Sequence, residues 1–383
     1  MGRIFYVSSM HGDDTNSGQT PEDAFRSLRK INQLEIQPGD QIFLERGSVF
    51  IGEYLHLYAG GTKEAPVVVD AYGEGALPRI EADGNGIWYQ NYGGHLDNVV
   101  HTWKGYLSSA VLLYDAEYIS IRNLEITNNP CIKNERLNQA DRMNRTGVSV
   151  IAQNHGTLHQ IELDHLYIHG VEGNIYDKHL NNGGIYMSVS RPDDEEKTGI
   201  ARYDGIHIHH CKVENCRRWG IAAGYTYQHD KFTTLELPDE VVKTYGSTNV
   251  VIEHNFVKDI GGDGITPMYC FEPLIQYNIS ENIAVDIHPD LYNEEGNRGG
   301  MTAAAIVLPM MPDLGLSSLA AVLAIGSGTM MGNHYNNSGF WVMGQFYHLN
   351  TKQAVKYVTV PCAVASVICL IAVVILNAVG VFG

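Results

Sequence analysis

The sequence predicts an all-β parallel solenoid continued by an α-helical, membrane-type tail, and three observations predict it. First, the pattern apolar-x-apolar-x-(Asn/His) recurs at Ile119-x-Ile121-x-Asn123, Ile161-x-Leu163-x-His165, Ile206-x-Ile208-x-His210 and Val250-x-Ile252-x-His254, with a weaker copy at Ile275-x-Tyr277-Asn278. Its polar marker returns after 42, 45, 44 and 23 residues. Second, a short glycine-led strand follows each full copy, at Gly147-Val148, Gly184-Ile185, Gly220-Ile221 and Gly264-Ile265. Short strands bent at one polar and one glycine corner, at a near-constant period, describe successive coils that bury their apolar side only by stacking. Third, charge divides the 383 residues in two: residues 301–383 hold only Asp313, Lys352 and Lys356, leaving 24 Lys+Arg and 42 Asp+Glu, a net −18, in the first 300.

The N-terminal run Ile4-Phe5-Tyr6-Val7 reads as a strand close to Met1, and no basic stretch followed by an apolar one precedes it, so no secretory leader is expected. The acidic body has no Lys/Arg stripe, which argues against a nucleic-acid partner. Six cysteines without a CxxC pair or a dense spacing predict buried free thiols rather than a disulfide framework. A bare coil needs roughly 22–25 residues. The longer spacings therefore carry loops, such as Asn174–Asn182 and Arg191–Arg202, along the side where binding sites are usually built.

The opening Tyr6-Val7-Ser8, Gly12-Asp13-Asp14-Thr15-Asn16-Ser17-Gly18 and Phe25-Arg26-Ser27-Leu28, followed by Pro38-Gly39-Asp40-Gln41-Ile42-Phe43-Leu44 and Gly47-Ser48-Val49-Phe50, resembles the N-terminal cap and first coil of right-handed parallel β-helix proteins. That group has the pectin-lyase-like fold and includes polysaccharide lyases and glycoside hydrolases, so the resemblance implies a right-handed helix over residues 3–297 that acts on a polysaccharide or oligosaccharide.

Alternation within the strands places side chains. With the paired apolar residues inward, one outward row reads Arg122, Asp164, His209, Glu253 and a second reads Glu125, Tyr167, Lys212. Lyases need a base beside a uronate and hydrolases two carboxylates, so such rows offer chemistry for either, while solvated cross-strand ion pairs explain them equally. His165, His210 and His254 read as a structural ladder at the corner. Asp259 and Asp263, separated by Ile260-Gly261-Gly262, are further catalytic candidates, with turn formation as the alternative reading. Arg217, Arg218 and Trp219 offer guanidinium and aromatic stacking for a sugar, or a surface arginine pair. Asp13, Asp14 and Asn16 offer oxygens for Ca²⁺, as β-helix lyases do near their sites, or an Asx-type turn.

The tail begins at the end of the repeats. Val358–Gly383 has 26 residues without a formal charge, enough to span a bilayer, and Leu314–Met331 is a weaker second span rich in small residues. Leu323-Ala324-Ile325-Gly326-Ser327-Gly328-Thr329-Met330-Met331, His334-Tyr335-Asn336-Asn337-Ser338-Gly339-Phe340-Trp341 and Thr351-Lys352-Gln353 resemble the C-terminal end of the gluconate:proton symporter (GntP) permease family. Asn337 stands where that family carries an aspartate, and an amide does not titrate. Lys352 and Lys356 favour a cytoplasmic start for the last helix.

Two domains are thus expected: 1–297, a β-helix truncated at its C-terminal end, and 298–383, a permease-like membrane fragment. No Pro/Ser/Gly linker separates them, and Thr302-Ala303-Ala304-Ala305-Ile306 suits either half, which suggests a chimeric gene. The leading expectation is a polysaccharide-cleaving domain of hydrolase or lyase type. The alternatives are a non-catalytic sugar-binding solenoid and a membrane protein of the gluconate transporter family.

Overall fold

A computed structural model describes residues 2–94, 103–129, 143–174, 177, 179–232, 237–285, 320, 323, 324, 327 and 349–381. The chain divides into two compact units, Met1–His288 and Pro289–Gly383. The expected 297/298 boundary and Cys131 lie outside the described residues.

The first unit is a parallel β-helix with three sheets. Eight strands stack in the first sheet, from Ile4–Val7 to Leu274–Gln276, and seven in the second, from Val49–Ile51 to Ile279–Ile283. The third stacks six, from Leu55–Leu57 to Ile265–Pro267, with Ile87–Asn91 added antiparallel to Lys104–Tyr114. Every other strand pairing is parallel, as one chain winding in one sense requires. The predicted repeats fall in the first sheet in register: Ile161 opposes Ile119 and Ile206, and Leu163 opposes Ile121 and Ile208. These residues are at most 2% exposed. Burying each such side chain contributes about 1.5–3 kcal/mol relative to leaving it in water.

Both corners follow from backbone sterics. Asn123, His165, His210, His254 and Tyr277 all have φ between +50° and +56°, the left-handed region where the first sheet turns into the second. Asn and His tolerate it better than β-branched residues. The imidazoles then stack on one another along the helix axis, with ring centroids 4.8 Å apart for His165–His210, 5.1 Å for His210–His254 and 4.9 Å for His254–Tyr277. Replacing His210 by Val is expected to cost about 2 kcal/mol, from a β-branched residue at positive φ, while Asn is nearly neutral; urea unfolding of the two variants measures the difference.

At the other corner a Cβ on Gly184 would lie 2.6 Å from the Gly220 carbonyl oxygen, and one on Gly220 would lie 2.4 Å from that of Gly264. Only glycine lets successive coils approach that closely there.

The cap is pinned by Asp40, which is fully buried. It accepts hydrogen bonds from the Arg3 backbone at 3.0 Å, Arg3 Nε at 3.2 Å and the Gln37 backbone at 2.9 Å, and pairs with Arg3 Nη2 at 2.5 Å. Cys211 and Cys216 are buried free thiols, each pushed up to about 12 by desolvation.

In the second unit one helix runs over Thr351–Ala378, with a π turn at Val355–Thr359. A capping box between Asn350 and Gln353 starts it. Its apolar surface is open: Ile368, Val374 and Ile375 are 56–61% exposed. This helix is long and apolar enough to cross a membrane. Of the weaker span only Ala320, Leu323, Ala324 and Ser327 are described, all helical.

Candidate functional site

The outward row Arg122, Asp164, His209, Glu253 is in register across four strands of the first sheet. A second row, two residues earlier, was open to the same alternation argument and was missed: Ser120, Glu162, His207. The two rows form one network. Arg122 Nη2 lies 2.5 Å from Glu162 Oε2, His209 Nε2 is 3.3 Å from Glu162 Oε1, and His209 Nδ1 is 3.0 Å from Asp164 Oδ1. His207 Nε2 sits 3.0 Å from Glu253 Oε1. Burial alone would raise the Glu162 carboxyl, but hydrogen bonds from Ser120 and Arg122 outweigh it and hold it at about 2. Hydrogen bonds from Gln276 and His207 likewise keep Glu253 below the usual carboxylate range. A cleft of about 450 Å³ adjoins this network, with Arg122, Glu162 and His207 in its wall. Carboxylates so depressed are poor proton donors.

Glu125, Tyr167 and Lys212 align in the second sheet as expected. Lys212 Nζ pairs with Glu214 at 2.8 Å and lies 4.7 Å from the Tyr167 ring centroid, and His169 lies 2.9 Å from Glu125. Lys212–Glu214 is a pair within one strand, and the Lys212–Tyr167 and His169–Glu125 contacts cross between strands.

Other candidates are placed differently from the chemistry foreseen for them. Asp259 has φ +52° and occupies a left-handed position shared with Gly170, Asn215 and Asn282 on neighbouring coils; its side chain accepts from Asn282. It serves a corner ladder, which corrects its reading as a partner of Asp263. Arg217 is bound to Glu172 at 2.8 Å, and Arg218 and Trp219 are no surface pair: Arg218 is fully buried with its guanidinium 4.5 Å from the centroid of the Trp219 ring, itself 4% exposed. Asp263 is exposed, and its carbonyl accepts from Gly220 N at 2.9 Å, placing it beside Trp219.

The Ca²⁺ reading of Asp13, Asp14 and Asn16 gives way to the turn. Asp13 Oδ1 accepts from Thr15 N at 2.8 Å, Asp14 Oδ1 from Arg26 N and Ser27 N at 3.0 and 2.9 Å, and Asn16 donates to the Ala24 carbonyl. These bonds tie Asp13 Oδ1, Asp14 Oδ1 and the Asn16 amide into the turn.

A third cluster carried no signal in the repeat pattern. The outer face of the third sheet is itself covered: every residue of Arg145–Ala152 and Gly183–Val189 is buried, the polar Thr146, Ser149 and Ser188 included. Trp88, Tyr92, Tyr186, Trp219 and Tyr225 pack over it, threaded by amides and hydroxyls. Gln90 Nε2 donates to Asn181 Oδ1 and Ser188 Oγ, each at 3.0 Å, Trp88 Nε1 donates to Ser109 Oγ at 2.8 Å, and Tyr92 OH donates to the His179 carbonyl. Within this cluster Asp177 is 6% exposed, accepting from Asn144 Nδ2 and His179 N, both at 3.1 Å. Desolvation pushes its carboxyl up to about 7, against the opposing pull of those hydrogen bonds and of Arg218. A carboxyl that carries its proton near neutrality, set among aromatic rings and amides, is equipped to protonate a leaving oxygen.

Comparison with known proteins agrees with this division. The body is similar to the lacto-N-biosidase of Bifidobacterium longum subsp. longum, 38% identical over 341 residues that cover 80% of this chain and 21% of that protein. It is also similar to the crystal structure of the GH136 lacto-N-biosidase from Eubacterium ramulus, with 51% identity and a TM-score of 0.74 over 78% of this chain and 48% of that one. The chain therefore spans about a fifth to a half of the length of these relatives. Residues 296–379 match the GntP family permease model. The high-affinity gluconate transporter of Escherichia coli strain K12 is 30% identical over 77 residues, 20% of this chain and 18% of that protein. The chain joins a parallel β-helix homologous to GH136 glycoside hydrolases to a C-terminal segment homologous to GntP family permeases.

Proposed function

We propose that the body is the sugar-cleaving part of a glycoside hydrolase that releases a lacto-N-biose unit from an oligosaccharide, with its site on the loop-covered third sheet. The observation that carries the reading is the 51% identity to a lacto-N-biosidase over 78% of this chain. The geometry supports it through Asp177, assigned as the general acid because burial beside Tyr92 pushes its carboxyl up to about 7. Asp263, exposed beside Trp219, supplies the second carboxylate that glycoside hydrolysis requires. In the reaction the acid gives its proton to the glycosidic oxygen, the bond from that oxygen to the anomeric carbon breaks, and water ends on the sugar. No uronate is involved, so a lyase product is not expected. The full chain in detergent, incubated with lacto-N-tetraose-type oligosaccharides, is expected to release the disaccharide, read by chromatography. Binding of the glycan with no release, unchanged by Asp263→Asn, would favour the sugar-binding solenoid instead.

The tail, in this reading, holds the body at a membrane through Thr351–Ala378, the segment with the permease match. A permease site is built between repeats near the bilayer midplane, and a segment matching under a fifth of a gluconate transporter supplies one side of it at most. Sedimentation with membranes that survives a carbonate wash is the expected behaviour.

A further inference from the structure

Outside the proposed sugar site, the first sheet concentrates imidazoles and carboxylates that pairwise hydrogen bonding does not require to converge. His207 and His209 are two residues apart on one strand and so project from the same face. Glu162 opposes His207 and Asp164 opposes His209 on the preceding strand, while Glu253 opposes His209 on the following one. One ligand atom from each of Glu162, His207 and His209 lies within 4.8 Å of the other two.

We propose that Glu162, His207 and His209 bind a first-row transition-metal dication such as Zn²⁺ on the first sheet. Two imidazole nitrogens and one carboxylate oxygen are the donor set of borderline ions, not of Ca²⁺. Bonds of about 2.0–2.1 Å put tetrahedral ligands roughly 3.3–3.4 Å apart, so rotation of the side chains closes the set around an ion. The surroundings are those a bound metal needs. Asp164 Oδ1, 3.0 Å from His209 Nδ1, orients that ring and directs its Nε2 at Glu162 Oε1, 3.3 Å away. Arg122 and Ser120 engage Glu162 Oε2, leaving Oε1 to the ion. Glu253 fixes the ring of His207 at 3.0 Å. Carboxylates on the far side of ligating imidazoles set the tautomer and raise basicity. The cleft of about 450 Å³, walled by Glu162 and His207, leaves the remaining coordination positions open to water or to a small anionic or hydroxylated ligand.

A second set of ligand atoms, from Asp164, His165 and His210, also converges. His165 and His210 are exposed at positive φ on the corner, whereas Glu162, His207 and His209 are all part-buried; stacked imidazoles occur in both sets, with centroids 4.8 Å apart for His165–His210 and 3.9 Å for His207–His209.

Titration of the full chain with Co²⁺, followed by its visible d–d bands, and with Zn²⁺ by calorimetry tests the site. One equivalent is expected to bind, His207→Gln and Glu162→Gln each to weaken it at least tenfold, Asp164→Asn to weaken it about tenfold, and His165→Asn, in the second set and out of contact with His209, to leave it unchanged. The circular dichroism of each variant confirms that the β-helix is intact. Wild-type protein that takes up no Co²⁺, or binding that is lost in His165→Asn and retained in His207→Gln, would overturn the proposal. The readout is independent of glycan cleavage, so failure of the sugar reading leaves it standing and its own failure leaves that reading untouched.

Discussion

Asp177→Asn is expected to lower kcat on an oligosaccharide by about 10²–10⁴-fold while KM changes little, because the amide keeps the shape and loses the proton that leaves with the aglycone. The size of the loss depends on the leaving group, which makes the assignment specific. An aryl glycoside with an acidic phenol needs no protonation, so the same variant retains far more of its activity on it. Equal losses on both substrates would mean that Asp177 only holds the cluster together. The environment explains why this carboxyl and not one of the row on the first sheet is suited to the task. Glu162 is held at about 2 by Ser120 and Arg122 and carries no proton at pH 7, whereas Asp177, buried near Tyr92 and Tyr186, is pushed up to about 7 by desolvation. Environments that push two carboxyls apart in this way define which can act as acid.

The contrast also shows what could be read from the residues in order. The first sheet has one face in the core and one in water, so its strands alternate, and the repeats, the corner ladder and the register of Arg122 with Asp164, His209 and Glu253 all follow from that alternation. Glu162 and His207 obey the same rule and needed only the row two residues earlier. The third sheet is buried on both faces, and strands such as Arg145–Ala152 show no period that separates a core side from a site side. Asp177 lies in the loop between Val171 and Gly183, where no repeat fixes a position, and its raised carboxyl arises from burial, against the opposing hydrogen bonds of His179, Asn144 and Leu180 and the charge of Arg218. Asp259 and Asp263 looked equivalent as a spaced pair; a positive φ at Asp259 separates their roles. The glycine corner was legible because a steric rule requires it, and the Ca²⁺ loop was not, because an Asx turn and an ion site use the same residues.

Arg218→Ala is expected to destabilise the body by about 3–5 kcal/mol, the range for removing one partner from a buried charged cluster. Arg218 is fully buried, its guanidinium lies 4.5 Å from the Trp219 ring centroid, and its charge opposes the desolvation of Asp177. Truncation leaves a cavity under Trp219 and removes the nearby positive charge, so the Asp177 carboxyl moves further up. The pH dependence follows from linkage. Asp177 is raised from its unfolded value near 3.8 to about 7, so between those values the folded chain binds the proton and the unfolded chain does not. Stability contributed through this group is therefore greatest below the unfolded pKa, falls as pH rises through the window, and is flat above about 7. The drop is of the order of 4 kcal/mol in the wild type, at about 1.4 kcal/mol per unit, and in Arg218→Ala it extends to higher pH. Asp177→Asn has no such slope, so its melting temperature is expected to exceed the wild-type value at pH 8 and to fall to or below it at pH 4. In the double variant the loss from Arg218→Ala shrinks at pH 8, because no carboxylate is left behind without its counter-charge, and the non-additive part of the cycle measures the coupling. A melting temperature that falls equally for Arg218→Ala in both backgrounds at pH 8 would show that packing alone, and no charge interaction with Asp177, explains why the arginine is buried.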